Sequence, residues 1–220
     1  MSNPIYTFSS IVTLVGAGPV SLSTLQLALG HGPIAIAADG GADALTKAGH
    51  PIHAIIGDMD SIDITENWLN SGVKINQIDE QETTDFEKCL YSVDAPLFLA
   101  AGFLGGATDH ALAALNALIV YENKRIILLA EDDVTFLCPG TLEIQLPVET
   151  RLSLFPMVET TGTLSKGLRW NVAGLRMSPG GRIGTSNQTD DSLVRIGFDR
   201  RGVLVTVPIA ALPAVIRALV

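Results

Sequence analysis

The sequence predicts an α/β fold: an N-terminal Rossmann-like, mostly parallel sheet with helices on both faces, followed by a C-terminal antiparallel β-sandwich domain. Three observations carry this. Through residues 1–138, short β-branched apolar runs alternate with helix-like segments, the signature of βαβ units. After Cys138-Pro139-Gly140 the pattern becomes short alternating runs separated by turn residues, as in antiparallel sheets. The charge divides at the same place. Residues 1–138 carry five basic against seventeen acidic side chains, a net of −12, while residues 139–220 carry nine against six, a net of +3. Two domains are therefore expected, 1–138 and 139–220.

In the first domain six strands are expected, at 12–15, 34–37, 54–56, 73–78, 97–100 and 126–130. Unbroken apolar runs such as Ile126–Leu129 fit strands buried on both faces. Helices are expected between them at about 20–29, 42–49, 64–71, 84–92 and 109–122, the last amphipathic through Leu112, Leu115, Leu118 and Ile119. In the second domain the runs 141–146, 151–156, 168–172, 193–198 and 203–207 read as strands. Pro179-Gly180-Gly181 and Arg200-Arg201-Gly202 stand where hairpins should close. No internal repeat is visible.

Composition excludes several classes. A net charge of −9 and a pI near 4.8 argue against nucleic-acid binding by blanket phosphate neutralisation, whose affinity comes from Lys and Arg displacing counterions. Mean hydropathy is +0.36, yet no run reaches the roughly 18 apolar residues of a membrane span: 111–121 is too short, and 203–220 is broken by Pro208, Pro213 and Arg217. No membrane association is expected. Residues 1–10 hold no Lys or Arg ahead of an apolar region, so no secretory signal is expected either. Cys89 and Cys138 cannot make a disulfide framework, which favours a reducing, cytoplasmic location. The four histidines share no face that would hold a metal.

Ligands of open parallel sheets sit beyond the carboxyl ends of the strands. The segments at those ends are acidic here: Asp39-Gly40-Gly41, Gly57-Asp58-Met59-Asp60-Ser61, Gln81-Glu82-Thr83-Thr84-Asp85-Phe86-Glu87-Lys88, and Gly105-Gly106-Ala107-Thr108-Asp109-His110. Each segment alone reads equally as a turn or a helix cap. Together they gather carboxylates that repel one another unless a cation joins them. Hard oxygen ligands point to Mg²⁺, which takes one or two carboxylates and keeps substrate phosphate oxygens and water; Asp58, Asp60 and Asp85 suffice. Glycines beside them would let backbone approach a phosphate. A rival motif is Gly16-Ala17-Gly18-Pro19-Val20-Ser21, with Asp39 about 20 residues on, which looks like the dinucleotide fingerprint of an NAD- or FAD-dependent oxidoreductase. It reads equally as a plain strand-to-helix turn.

The ordered set from Asp39-Gly40-Gly41-Ala42 through Gly57-Asp58-Met59-Asp60, Gln81 to Lys88, Gly102 to His110 and Gly167-Leu168-Arg169-Trp170-Asn171, ending in Thr185-Ser186-Asn187, resembles the thiamine pyrophosphokinase family over about residues 35–190. The resemblance implies an ATP-binding α/β domain, a thiamine-binding β domain, and a homodimer with active sites at the subunit interface. Its reaction is pyrophosphoryl transfer from ATP, the co-substrate, to thiamine, giving AMP and thiamine diphosphate. Carried over by position, Asp58, Asp60, Asp85 and Asp109 would be catalytic, the first three holding Mg²⁺. Asp39, Gly40, Gly41, Gln81, Thr84, Lys88, Gly105, Gly106 and His110 would bind the nucleotide. Trp170, Ser186 and Asn187 would bind thiamine. Ala107 departs from the family pattern, standing where an Arg is usual, so either a cation from elsewhere, Lys88 or an Arg of the second domain, replaces it or ATP is bound less tightly. That departure keeps a third reading open, a catalytically inactive thiamine- or nucleotide-binding homologue.

Overall fold

A computed structural model describes residues 3–60 and 72–220. The helix expected at 64–71, and Ser61, lie outside the described residues. The chain packs into two compact units, one of residues 1–117 and 128–131, the other of residues 118–127 and 132–220. This division differs from the expected 138/139 boundary because Asp133–Leu137 pairs antiparallel with Val203–Pro208 and so belongs with the second unit.

The first unit contains β1 (Tyr6–Thr7), β2 (Val12–Val15), α1 (Leu22–His31), β3 (Ile34–Ala38), α2 (Gly41–Lys47), β4 (Ala54–Gly57), β5 (Lys74–Gln77), α3 (Asp85–Ser92), β6 (Val93–Asp94), β7 (Phe98–Ala101) and most of α4 (Thr108–Val120). Five strands lie side by side in the order β7-β2-β3-β4-β5, and every pair is parallel. Strands β2, β4 and β7 are buried along their whole length, as uninterrupted apolar runs require. The period of two sorts one face of the core: Val15, Ala35, Ala37 and Ile55 pack against Leu25 and Leu29 of α1 and Ala42 and Leu45 of α2. Burying each of those leucines contributes about 1.5–3 kcal/mol.

The chain lays β3, β4 and β5 on one side of β2, then returns to place β7 on the other. A crevice therefore opens beyond the carboxyl end of β2, where the strand order reverses. Helix starts are set locally. The Ser21 hydroxyl accepts the Thr24 N–H at 3.1 Å, so α1 begins after Pro19 and Ser21 rather than at residue 20. At α3, Thr84 and Glu87 form a reciprocal capping box.

Strand β8 (Ile126–Leu129) carries residues of both units. The second unit holds β9 (Asp133–Leu137), β10 (Thr141–Gln145), β11 (Arg151–Pro156), β12 (Thr160–Lys166), β13 (Arg176–Met177), β14 (Gly184–Gln188), β15 (Leu193–Phe198), β16 (Val203–Pro208) and α5 (Leu212–Leu219). Its strands pair antiparallel in two sets, β14-β11-β16-β9 and β10-β15-β12-β13. Alternation is clean in β10, where Leu142 and Ile144 are buried between exposed neighbours. Helix α5 buries Leu212, Val215 and Leu219, one stripe at helical spacing.

Three sequence expectations fail in this unit. Residues 168–172 are not a strand: Leu168 makes a single bridge to Thr189, and the strand of this region is β12, ended by Gly167 at φ 74°. Leu168 and Val172 are both buried, which gives the stretch its strand-like look. Neither turn closes a hairpin. Arg200-Arg201-Gly202 joins β15 to β16, and Pro179-Gly180-Gly181 joins β13 to β14, strands that belong to different sets. A tight turn reverses the chain, but burial of each strand's apolar face decides its partner. Among the described residues no helix is long and apolar enough to cross a membrane.

Candidate active site

At the carboxyl edge of the parallel strands the first unit holds a cavity of about 310 Å³, near the lower end of the small-ligand range. Residues Gly16, Ala17 and Gly18 after β2, Asp39 and Gly40 after β3, Asp58 after β4, and Gly102 and Phe103 after β7 line it. Gln81, Thr83 and Thr84 enter from the loop before α3, and Asp85, Phe86 and Lys88 from α3 itself. Phe86 and Phe103 form one wall, their ring centroids 4.3 Å apart.

The structure groups the carboxylates as Asp39, Asp58 and Asp60, each with an oxygen within 4.8 Å of the others. Strained backbone builds this group. Asp39 has φ 42° and Met59 φ 66°, left-handed values that cost about 1–2 kcal/mol outside glycine. Met59 is held in that state by packing against the core beneath β2 and β3. The close approach also needs Gly57: a Cβ there would stand 2.8 Å from the Asp39 Cβ and 3.1 Å from Asp85 Oδ1.

Asp85, expected as a metal ligand, meets Lys88. The ammonium lies 3.1 Å from Asp85 Oδ1 and 3.5 Å from Asp58 Oδ2, on a side chain that is 1% exposed as a residue. Burial pulls the Lys88 pKa down, but hydrogen bonding and charge from Asp85, with Asp58, outweigh it and raise the value overall. Asp58 Oδ2 also accepts Gln81 Nε2 at 2.9 Å, while Oδ1 accepts the Asp60 N–H at 3.3 Å. The Gln81 bond, ahead of opposing desolvation and then the Asp60 and Lys88 contacts, holds the Asp58 pKa below its ordinary value. The group could hold a divalent cation, with Lys88 as a fixed positive charge on its flank.

The remaining expected residues divide. Gly40, Gln81, Thr84, Lys88, Gly106 and His110 line the cavity, as does Ala107. The Thr84 hydroxyl is committed to capping α3, 3.3 Å from the Glu87 N–H. Gly41 is a packing residue: a Cβ there would stand 1.9 Å from the Val15 carbonyl oxygen. Gly105 and Asp109 are not in the lining, and Asp109 Oδ1 accepts the His110 N–H at 2.9 Å. The sequence reading missed Thr83, Phe86 and Phe103. Phe86 directly follows the motif acid Asp85 and Phe103 directly follows Gly102, which was the available signal.

The dinucleotide reading of Gly16-Ala17-Gly18 loses its basis. The Gly16 and Gly18 N–H groups donate to the carbonyls of Ala101 and Gly102, each at 2.9 Å, so they do not face a pyrophosphate. The N-terminus of α1 is already engaged by the chain's own carboxylate: Glu131 accepts the Ser21 N–H at 2.8 Å and the Thr24 hydroxyl at 3.2 Å.

In the second unit a cavity of about 170 Å³ is lined by Trp170, Met177, Arg182, Thr185 and Asn187, among others. Trp170 is 54% exposed, with the Arg169 guanidinium 5.1 Å from its ring centroid. Asn187 is buried; its Oδ1 accepts the Trp170 N–H at 3.1 Å and its Nδ2 donates to the Trp170 carbonyl at 2.7 Å. Ser186 adopts φ 59° and lies outside the lining, its N–H donating to Ser153 Oγ at 3.0 Å.

Two family models match the chain in order: thiamin pyrophosphokinase, catalytic domain, over residues 25–129, and thiamin pyrophosphokinase, vitamin B1 binding domain, over residues 141–203. Thiamine pyrophosphokinase 1 of Oryza sativa subsp. japonica is 37% identical over 163 residues, covering 66% of this chain and 62% of its own length. Thiamine pyrophosphokinase 1 of Arabidopsis thaliana is 32% identical over 202 residues, covering 77% of this chain and 76% of its own. The chain thus spans about 60–75% of the length of these relatives. Among solved structures, thiamin pyrophosphokinase from Candida albicans superposes with a TM-score of 0.78 at 18% identity, over 94% of this chain and 93% of that one. The yeast enzyme gives 0.77 at 16%, over 94% and 92%; at such identities these likenesses speak for the fold. With both models matched in order and the Arabidopsis relative aligned over three quarters of each sequence, the chain belongs to the thiamin pyrophosphokinase family.

Proposed function

We propose that the protein is a Mg²⁺-dependent thiamine pyrophosphokinase, transferring the pyrophosphoryl group of ATP to the hydroxyl of thiamine and releasing AMP and thiamine diphosphate. The observation that carries this reading is the Asp39, Asp58 and Asp60 group, of which Asp39 and Asp58 line a cavity inside the region matched by the catalytic-domain model. The donor set fits the ion. Three carboxylate oxygens within 4.8 Å of one another supply the hard, anionic oxygen ligands that Mg²⁺ prefers.

Bound Mg²⁺ would neutralise phosphate oxygens and polarise the phosphorus under attack. Asp58 and Asp60 would hold it, with Asp39 or Asp85 as the third carboxylate. Such transfers need positioning and charge neutralisation more than a protein nucleophile. Lys88 supplies a resident positive charge where Ala107 brings none, and Gly40 and Gly106 offer backbone to the phosphates. The thiamine oxygen bonds to the β-phosphorus as the bond from that phosphorus to the oxygen bridging the α-phosphate breaks, and AMP leaves with that oxygen. The hydroxyl proton passes to a carboxylate; Asp85 lines the cavity and fits this role better than Asp109. On the thiamine side, Trp170 offers an aromatic face, with Asn187 behind it.

We read the first unit as a Rossmann-like domain, supported by the parallel order and its reversal at β2, and the second as a β-sandwich, supported by its two antiparallel sets. A homodimer with active sites at the subunit interface follows the family resemblance. A cytoplasmic location is favoured by two free, buried cysteines. Incubation of purified protein with ATP, Mg²⁺ and thiamine should yield AMP and thiamine diphosphate, resolved by ion-exchange chromatography. Release of ADP refutes the reading; tight binding of thiamine and ATP without product supports the inactive homologue instead.

A further inference from the structure

The loop between β5 and α3 brings Gln81 and Thr83 to the cavity, and Glu80, outside the lining, fixes it from behind. Glu80 Oε2 accepts the backbone N–H groups of Glu82 at 2.7 Å and Thr83 at 3.0 Å. Its Oε1 accepts the Thr83 hydroxyl and, at 3.0 Å, the Tyr91 hydroxyl. Four donors fill the carboxylate. The Thr83 hydroxyl first, then the Glu82 N–H, the Tyr91 hydroxyl and the Thr83 N–H, outweigh desolvation and hold its pKa at about 2 against an ordinary 4.5.

Tyr91 lies on α3, the helix that carries Asp85 and Lys88, so Glu80 joins the loop to that helix. The next residue, Gln81, reaches Asp58 Oδ2 at 2.9 Å. Lys88 holds the same oxygen at 3.5 Å, and Oδ1 is left on the side of Asp60. Asp58 Oδ2 is thus oriented by two groups, and one of them sits on a loop whose shape depends on Glu80.

We propose that Glu80 is a positioning residue for Asp58: its carboxylate locks the 80–83 loop to Tyr91, and the locked loop delivers the Gln81 amide to Asp58 Oδ2. The inference rests on the cavity being the metal–nucleotide site. Once Glu80 is removed, the loop must be ordered at each binding event, and that entropy is charged against ligand affinity. Glu80 touches no reacting group, so its influence on Asp58 should pass through Gln81.

A double-mutant cycle tests this, with Mg·ATP binding measured by calorimetry in the parent, Glu80→Ala, Gln81→Ala and the double variant. Glu80→Ala should weaken binding about fivefold in the parent and less than about twofold where Gln81 is already Ala. Equal losses in both backgrounds overturn the proposal. Glu80→Gln, which keeps the length but offers one acceptor oxygen, should fall between parent and Ala, and it serves as the test variant if Glu80→Ala does not fold. An independent readout needs no ligand: in the parent the Gln81 side-chain amide should show a hydrogen-bonded proton shifted from the free-glutamine position and protected from exchange with water, and in the Glu80 variants both shift and exchange should move towards those of free glutamine. A Gln81 amide unchanged in a folded variant overturns the proposal on its own. Failure of the parent to bind Mg·ATP would instead defeat the functional reading, with the amide measurement still deciding the positioning role.

Discussion

Lys88→Met removes the ammonium that stands between Asp58 and Asp85 while keeping most of the side chain's apolar length. The two contacts are 3.1 and 3.5 Å. At an effective dielectric constant of about 20 each is worth roughly 5 kcal/mol before desolvation, and taking the ammonium out of water offsets several kcal/mol of that. Removing one partner of a buried pair costs about 3–5 kcal/mol. The Asp58 and Asp85 side chains keep 14% and 31% exposure, so hydration relieves part of their repulsion. The expected loss is therefore about 2–3 kcal/mol, or about 4–12 °C in Tm.

Urea denaturation of parent and variant at pH 7, followed by circular dichroism, measures this loss. The pH dependence is fixed by sign. Asp58 is held below its ordinary 3.8 and Lys88 above its ordinary 10.5. Their contribution is present above about 3.8 and below about 10.5. It fades as pH falls through the folded value of Asp58 or rises through that of Lys88. The gap between variant and parent should narrow in acid, and Mg²⁺ should restore part of the variant's stability. A penalty under about 1 kcal/mol at pH 7, or one indifferent to acid, refutes the account.

Asp58→Asn and Asp60→Asn should each lower turnover more than about 100-fold, because each removes a metal-facing charge; product assays beside thermal melts check that the fold survives, and full activity in both would remove the metal assignment. Gly41→Ala should destabilise by about 2–4 kcal/mol in chemical denaturation, since its Cβ would meet the Val15 carbonyl oxygen at 1.9 Å and backbone must move. Asn187→Ala deletes both bonds to the Trp170 backbone and should cost about 1–3 kcal/mol. Thiamine affinity, followed by quenching of tryptophan fluorescence in a Trp68→Phe background, should fall with it.

The parallel strands were legible because burial on both faces writes itself as an unbroken apolar run. Val12–Val15 is expected and found with the same bounds, and Ile34–Ala38 and Ile126–Leu129 differ from expectation by one residue. Helix α3 was equally plain, since its Thr84 to Glu87 capping box is a local signal. The second unit was harder to read. The polar β12, whose one large apolar residue is Leu164, lacks a hydrophobic pattern, while buried Leu168 and Val172 imitate one. For the site, residue spacing located the acids along the sheet edge but not which oxygens meet.

The sequence alone determined the alternating α/β order, the change of pattern after Cys138, the acidic character of the strand ends and the family, because each is written in neighbouring residues. Tertiary structure decided that Asp39 comes within 4.8 Å of Asp58 and Asp60, that Lys88 is buried against Asp85 and Asp58, that Gly41 serves packing, and that Glu131 engages the start of α1. Those outcomes depend on ångström-scale distances between loops that follow different strands. Left-handed backbone at Asp39 and Met59 and the missing Cβ of Gly57 set those distances, and only the packed sheet brings them together.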